Sequence, residues 1–287
     1  MSFLIAQSLI NGVILGTLYL MMAIGFTLVF GVMRIVNFAH GEFYMIGAFM
    51  ALVGVTWLGL PYAVTLALTV VLAILLGVLV ERIVFRPFRS DELSGMIASL
   101  GLALILQNGV LILFGPDPQA FPSMASGVYR WGELLIPKSR ALTLAVGVVI
   151  LFGFYLMLMH TRFGRGLRAL VQDQGVAALY GVRLEIMYPL GLGIGVALAA
   201  VAGGLMAPLF GVSPFIGATP LLKAFIVVIL GGLGSIPGAA LAAMLLGVIE
   251  SFTTSFVSAA AADILTFALV VAVLLVRPSG LLGRGEA

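Results

Sequence analysis

Seven stretches of this chain stay continuously apolar for long enough to cross about 30 Å of hydrocarbon, near residues 8–33, 40–58, 62–80, 96–114, 141–159, 186–212 and 257–276. Nothing else in the sequence restricts the fold as much. At 62% hydrophobic and 9% charged residues, with a mean hydropathy of +1.26, the chain cannot coat a soluble globule, where about 25% charge is usual. A β-barrel needs segments of about ten residues alternating apolar and polar, and these runs are longer and unbroken. The fold class is an all-α polytopic membrane protein, a single transmembrane domain over residues 1–287. Met1 to Ile10 hold no Lys or Arg, so the first run lacks the basic flank of a cleaved signal and is expected to stay.

The interval 218–254 is apolar but interrupted by Gly231-Gly232-Leu233-Gly234-Ser235-Ile236-Pro237-Gly238, which a straight helix tolerates poorly. It reads as two short helices meeting at a turn, which brings the total to about 8–9 transmembrane helices with broken segments. Arginines set the orientation: Arg82, Arg86 and Arg89 follow one span, Arg162, Arg165, Arg168 and Arg183 another, and Arg277 and Arg284 the last. These faces are expected to be cytoplasmic, with the N-terminus and residues 115–140 outside. Spans near 186–212, 218–233, 238–254 and 257–276 then return the chain to the arginine-rich side. The basic excess behind the pI of 9.4 reports topology, not nucleic-acid binding.

Polar groups inside apolar runs need a reason. Arg34-Ile35-Val36-Asn37-Phe38-Ala39-His40-Gly41-Glu42 lies directly between two spans, and a charge at mid-helix costs about 2.5–3.5 kcal/mol. Asn37, His40 and Glu42 are therefore candidates for a substrate path, Gly31 and Gly41 permitting a break in the helix. The plainer reading is a solvated surface loop with Arg34 snorkelling. Two histidines and scattered carboxylates make no metal cluster, and the absence of cysteine excludes thiol chemistry. Asn11, Gln107 and Asn108 read as interhelical hydrogen-bonding groups, Glu250 and Asp263 as charges near outer helix ends, and Lys223 as a snorkelling residue.

Between the spans ending near 159 and starting near 186 lies a polar segment, about 162–185. Leu167, Leu170 and Val171 share one helical face and Arg165, Arg168 and Gln172 another. Asp173 is placed to cap a second short helix carrying Ala177 and Ala178 and stopping at Gly181. A helix pair outside the bilayer with arginines and small residues suggests a docking knob for a soluble partner, although an interfacial amphipathic helix uses similar residues.

The run from Gly25 to Met45, GFTLVFGVMRIVNFAHGEFYM, resembles the N-terminal signature of branched-chain amino-acid ABC importer permeases. The segment 162–185 is similar to that family's ATPase-coupling loop, and Lys223-Ala224-Phe225 through Leu230 to Ala239 resembles its Gly-rich C-terminal motif, on the pattern of the shorter, LivH-like permease subunit. The resemblance implies a bacterial inner-membrane importer in which this chain pairs with a second permease, two cytoplasmic ATP-binding subunits and a periplasmic substrate-binding protein. It places Arg165, Arg168, Asp173, Ala177, Ala178 and Gly181 on the coupling segment. The chain carries no G-x-x-x-x-G-K-[ST] phosphate loop, so ATP is expected on partner subunits and no cofactor or catalytic residue on this one. Relatives that carry urea or short amides keep substrate identity open. The competing class is an ion-coupled secondary transporter, for which Glu42 after a helix break is the best sign. Segments 25–50 and 221–247 are loosely similar, but not well enough aligned to define inverted repeats.

Overall fold

Lipid tails are as apolar as leucine, so helices in a membrane gain little by associating unless their backbones come close. In the computed structural model small residues supply that closeness. It describes residues 2–89, 91–122, 127–131, 134–232, 234–277 and 279–282; Leu233 and Arg284 lie outside the described residues. In chain order the helices are α1 (Ser2–Met33), α2 (His40–Thr56), α3 (Tyr62–Val80), α4 (Glu92–Phe114), α5 (Lys138–His160), α6 (Arg162–Gln172), α7 (Gln174–Leu179), α8 (Leu184–Phe210), α9 (Ala218–Gly231), α10 (Ile236–Phe256) and α11 (Ala259–Val276). A short hairpin, β1 (Val128–Trp131) with β2 (Leu134–Pro137), lies between α4 and α5.

The central pair is α1 and α8. In each, 83% of the most apolar window is buried, against 11% in α4 and 17% in α11, which form the rim. Gly25 on α1 faces Gly195 on α8 so closely that an added Cβ would lie 2.7 Å from the Gly195 carbonyl oxygen. On α8, Gly203 and Ala200 take the backbone of α2 at Tyr44 and Gly47, and Gly193 takes α3 at Gly77. On the other side Gly12 and Gly16 of α1 take α10 at Val248 and Gly247.

Among the described residues seven helices are long and apolar enough to cross a membrane by themselves; besides the short polar pair α6 and α7, α2 and α9 are the exceptions. Arg34, at φ 57, ends α1 in the left-handed conformation. Residues 34–39 then climb back without regular structure, because the His40 ring nitrogen Nε2 lies 3.2 Å from the Met22 carbonyl. Met22 is about 16 Å above the end of α1 at about 1.5 Å per residue, so α2 starts midway along α1 and runs away from the arginine-rich face. At the opposite end α8 stops at Gly211, Val212 pairs with Gln119 through bonds of 2.8 and 2.9 Å, and α9 starts at Ala218 and runs inward. The two half-helix N-termini meet: a Cβ on Gly41 would lie 2.6 Å from the Gly217 carbonyl.

The result is an inverted pairing. Helix α1 with its break and α2 stands to α10 as α8 with its break and α9 stands to α3. The repeat thus joins 2–56 to 184–231, an offset that the comparison of 25–50 with 221–247 misses. Nor is 236–256 a short helix: at 21 residues α10 is long enough to cross in full, and of these two only α9 is a half-span.

At the arginine-rich face α3 continues through a π turn, Glu81–Phe85, and a 3-10 turn, Arg86–Phe88. Glu81 is fully buried and paired with Arg89, whose guanidinium lies 4.3 Å from the Tyr188 ring centroid. Arg89 is therefore an anchor for this turn as well as a topology marker. Asp91 caps α4, and hydrogen bonds from Ser94 hold its carboxyl below the usual range.

Candidate functional site

The segment 162–185 folds as a capped helix pair on the arginine-rich face. Thr161 accepts a hydrogen bond from the Gly164 amide at 2.9 Å to start α6, and Asp173 accepts one from the Val176 amide at 2.8 Å to start α7. Gly181, at φ 83, ends the pair in the left-handed region. Leu167 and Leu170 are fully buried against the bundle, while Arg165 points to solvent and Arg168 is half-buried with its guanidinium on the Met159 thioether. Of the two alanines on α7, Ala177 is buried and Ala178 exposed.

Sequence reading missed what the tip of this knob presents. Leu179 and Tyr180 are 88% and 85% exposed, side by side, with Val176 half-open beside them. Together they give a polar element an open apolar tip. It missed also how the knob is tied down. Gln174 Nε2 donates to the Val32 carbonyl at 3.1 Å and its Oε1 accepts from Tyr188 at 2.8 Å, while the Arg34 guanidinium reaches the Val171 carbonyl at 3.4 Å. Those bonds fix α6 and α7 to the inner end of α1, the start of the break. A cavity of about 480 Å³ lies behind the knob, its wall shared by Leu167 and Arg168 with Ser235 and Pro237 of the Gly-rich turn. Two motifs far apart in sequence thus meet at one place.

The break residues lie deep in the protein and not in a surface loop. Asn37 is 1% exposed; its Oδ1 accepts from the Ala39 amide at 3.0 Å and shapes the turn into α2. His40 is fully buried, edge-on to Phe26 at 5.6 Å between ring centroids. Its Nε2 faces a carbonyl, which can only accept, so that nitrogen carries the proton. Glu42 is 8% exposed in the first turn of α2, where the helix dipole favours a negative charge. Asn37 Nδ2, His40 Nδ1 and Glu42 Oε2 have no hydrogen-bond partner among the described residues. From α4, Ser99 Oγ accepts from the Phe38 amide at 3.0 Å, a brace no sequence pattern announced. No group of three His, Asp or Glu side chains poised for a metal occurs among the described residues.

Comparison with known proteins identifies the family. Residues 8–274 match the model of the family described as branched-chain amino acid transport system / permease component. The chain belongs to that family. BraD of Pseudomonas aeruginosa, named a high-affinity branched-chain amino acid transport system permease protein, is 36% identical over 98% of this chain and 96% of its own length. LivH of Escherichia coli (strain K12), with the same description, matches at the same identity and coverage. A probable LivH of Methanocaldococcus jannaschii is 26% identical over 95% of this chain and 91% of its own. Among solved structures, PsaBC from Streptococcus pneumoniae in complex with Fab overlaps 92% of this chain and 88% of its own at TM-score 0.49 and 14% identity.

The permease has a further polar cluster where the sequence suggested only isolated charges. Lys223 does not snorkel: it is 4% exposed, with Nζ 2.9 Å from Glu250 Oε2 and 2.9 Å from Asp263 Oδ1. Tyr19 donates to Glu250 Oε1 at 3.0 Å. Four helices, α1, α9, α10 and α11, are thereby joined through one lysine. Asn11 accepts from the Arg140 guanidinium at 2.5 Å, an interhelical bond as expected, whereas Asn108 donates to Leu104 of its own helix.

Proposed function

We propose that this permease is a transmembrane subunit of a bacterial inner-membrane ABC importer for branched-chain amino acids. It works with a second permease, two cytoplasmic ATP-binding subunits and a periplasmic binding protein, and its coupling residues are Arg165, Arg168, Asp173, Ala177, Ala178 and Gly181, with Leu179 and Tyr180 at the tip. The observation that carries the reading is the capped helix pair whose exposed apolar tip stands on the arginine-rich face while its base is bonded to α1.

Force on the tip has a defined route inward. Closure of the ATPase dimer would push α6 and α7, and the bonds from Gln174 to Val32 and from Arg34 to Val171 pass that displacement to the start of residues 34–39. That stretch leads to the meeting of α2 and α9, whose contacts at Gly41 and Gly217 are backbone to backbone and so move as a unit. Rocking α1 and α2 against α8 and α9 opens one side of the membrane and then the other. Asn37, His40 and Glu42 line or orient this route.

An ion-coupled carrier is the second reading, favoured by one observation: Glu42 keeps an unpartnered oxygen beside the two half-helix N-termini. Purification from native membrane separates the two. The importer reading expects ATP-binding subunits and a second permease to co-elute, and uptake of leucine, isoleucine or valine to depend on the binding protein. Uptake by the lone chain, or a preference for urea or short amides, contradicts the assignment.

A further inference from the structure

We propose that a cavity in the outer half of the permease is a transit site for a zwitterionic amino acid, with Arg140 receiving the carboxylate and Glu250 the ammonium. This rests on the amino-acid import reading and adds to it a place and a chemistry.

The cavity measures about 510 Å³, within the range of small-molecule sites, and is walled by α1, α5, α10, the outer end of α8 and the re-entrant stretch that leads into α9. Two charges of opposite sign line it, Arg140 from α5 and Glu250 from α10. Each is held by a residue of α1: Asn11 accepts from Arg140 and Tyr19 donates to Glu250. Asn11 and Tyr19 are about 12 Å apart along the helix axis. The two charged groups of an α-amino acid share one carbon, so the molecule meets Arg140 and Glu250 in turn as it passes along the cavity.

The balance of charge also selects for a cation at one end. Lys223 is shared between Glu250 and Asp263, so a single positive charge faces two carboxylates. An ammonium group arriving beside Glu250 completes the balance. Arg140 has the opposite need: its guanidinium is half-buried, and the bond seen on it goes to a neutral amide. A carboxylate is its natural partner, in a paired geometry. The rest of the wall includes apolar Leu209, Phe215 and Ile216, which suit an aliphatic side chain. The position also fits the route, since Phe215 and Ile216 lie on the stretch that enters α9.

The test uses the full importer in proteoliposomes, loaded with its binding protein and ATP, and radiolabelled leucine. Arg140→Gln and Glu250→Gln are each expected to lower kcat/KM for uptake at least tenfold while subunit assembly and ATP hydrolysis stay intact. Arg140→Lys, which keeps the charge, should recover part of the loss. A direct readout accompanies it: in the purified permease complex without binding protein, leucine at millimolar concentration should protect a cysteine introduced at Ile216 from alkylation. Leucinamide, lacking the carboxylate, and 4-methylpentanoate, lacking the ammonium, should protect less. If the wild-type importer moves leucine yet both Gln variants move it equally well, or the three compounds protect alike, the site is wrong while the import reading stands. If the wild-type assembly moves no amino acid at all, the import reading fails and takes the site with it.

Discussion

Truncating the tip of the knob should uncouple the permease from its ATPase without unfolding it. Leu179 and Tyr180 are 88% and 85% exposed, so in the free subunit they bury almost nothing and their loss should barely move the thermal midpoint. On docking they become covered. Fully burying a leucine is worth about 1.5–3 kcal/mol, and an alanine keeps a minor part of that, so Leu179→Ala should weaken docking by about 2 kcal/mol. At about 1.4 kcal/mol per tenfold this is roughly a 30-fold rise in Kd. Tyr180→Ala should have a similar effect, and the double variant should fall short of the product because the residues touch the same surface. The assay is a titration of detergent-solubilised permease with its ATP-binding subunits, beside a melting curve of each variant. Leu170→Ala is the control: that side chain is fully buried against the bundle, so its loss should cost about 2–5 kcal/mol of stability and lower the melting point. Unchanged affinity for both Leu179→Ala and Tyr180→Ala would refute the assignment of the tip as a docking surface.

Three further outcomes follow from the packing and the caps. Gly203→Val should sharply lower thermal stability, by at least about 1–3 kcal/mol, because any Cβ at Gly203 collides with the Tyr44 carbonyl; a normal melting curve would mean that α2 and α8 are not that close. Asp173→Ala removes the cap of α7 and should cost about 1 kcal/mol, seen as faster amide exchange at Val176 and weaker ATPase stimulation, with Asp173→Asn largely restoring both. Glu42→Leu should reduce uptake while the subunits still co-purify, since the carboxylate lies at the break and not on the docking face; full uptake would remove Glu42 from the route.

What the sequence made legible is whatever depends on neighbours along the chain. The lengths of the spans other than 40–58 and 238–254, the capping role of Asp173, the stop at Gly181 and the arginine-rich face come from local pattern, and the structure agrees on each. The depth of His40 could not be read that way. Hydropathy places a residue relative to the ends of an apolar run, and residues 34–39 turn back into the membrane after α1 has already left it. The lysine cluster was hidden for a different reason: Tyr19 and Glu250 are 231 positions apart, so each charge seen alone was most simply placed near water. Ser99 and Gln174 were invisible because a serine in an apolar helix and a glutamine in a polar loop are both unremarkable until their partners, Phe38 and Val32, are known. The inverted pairing rests on backbone contact at glycines and alanines, which two halves can share without similar sequences.

The most direct test is solute accumulation in liposomes. With the permease alone, an imposed proton or sodium gradient should drive no accumulation of leucine, because the chain holds no phosphate loop and one carboxylate at its break. Adding the companion permease, the ATP-binding subunits and the binding protein should produce ATP-dependent uptake against the gradient. Robust ion-driven accumulation by the single chain would contradict the account and leave the knob at residues 162–185 without a purpose.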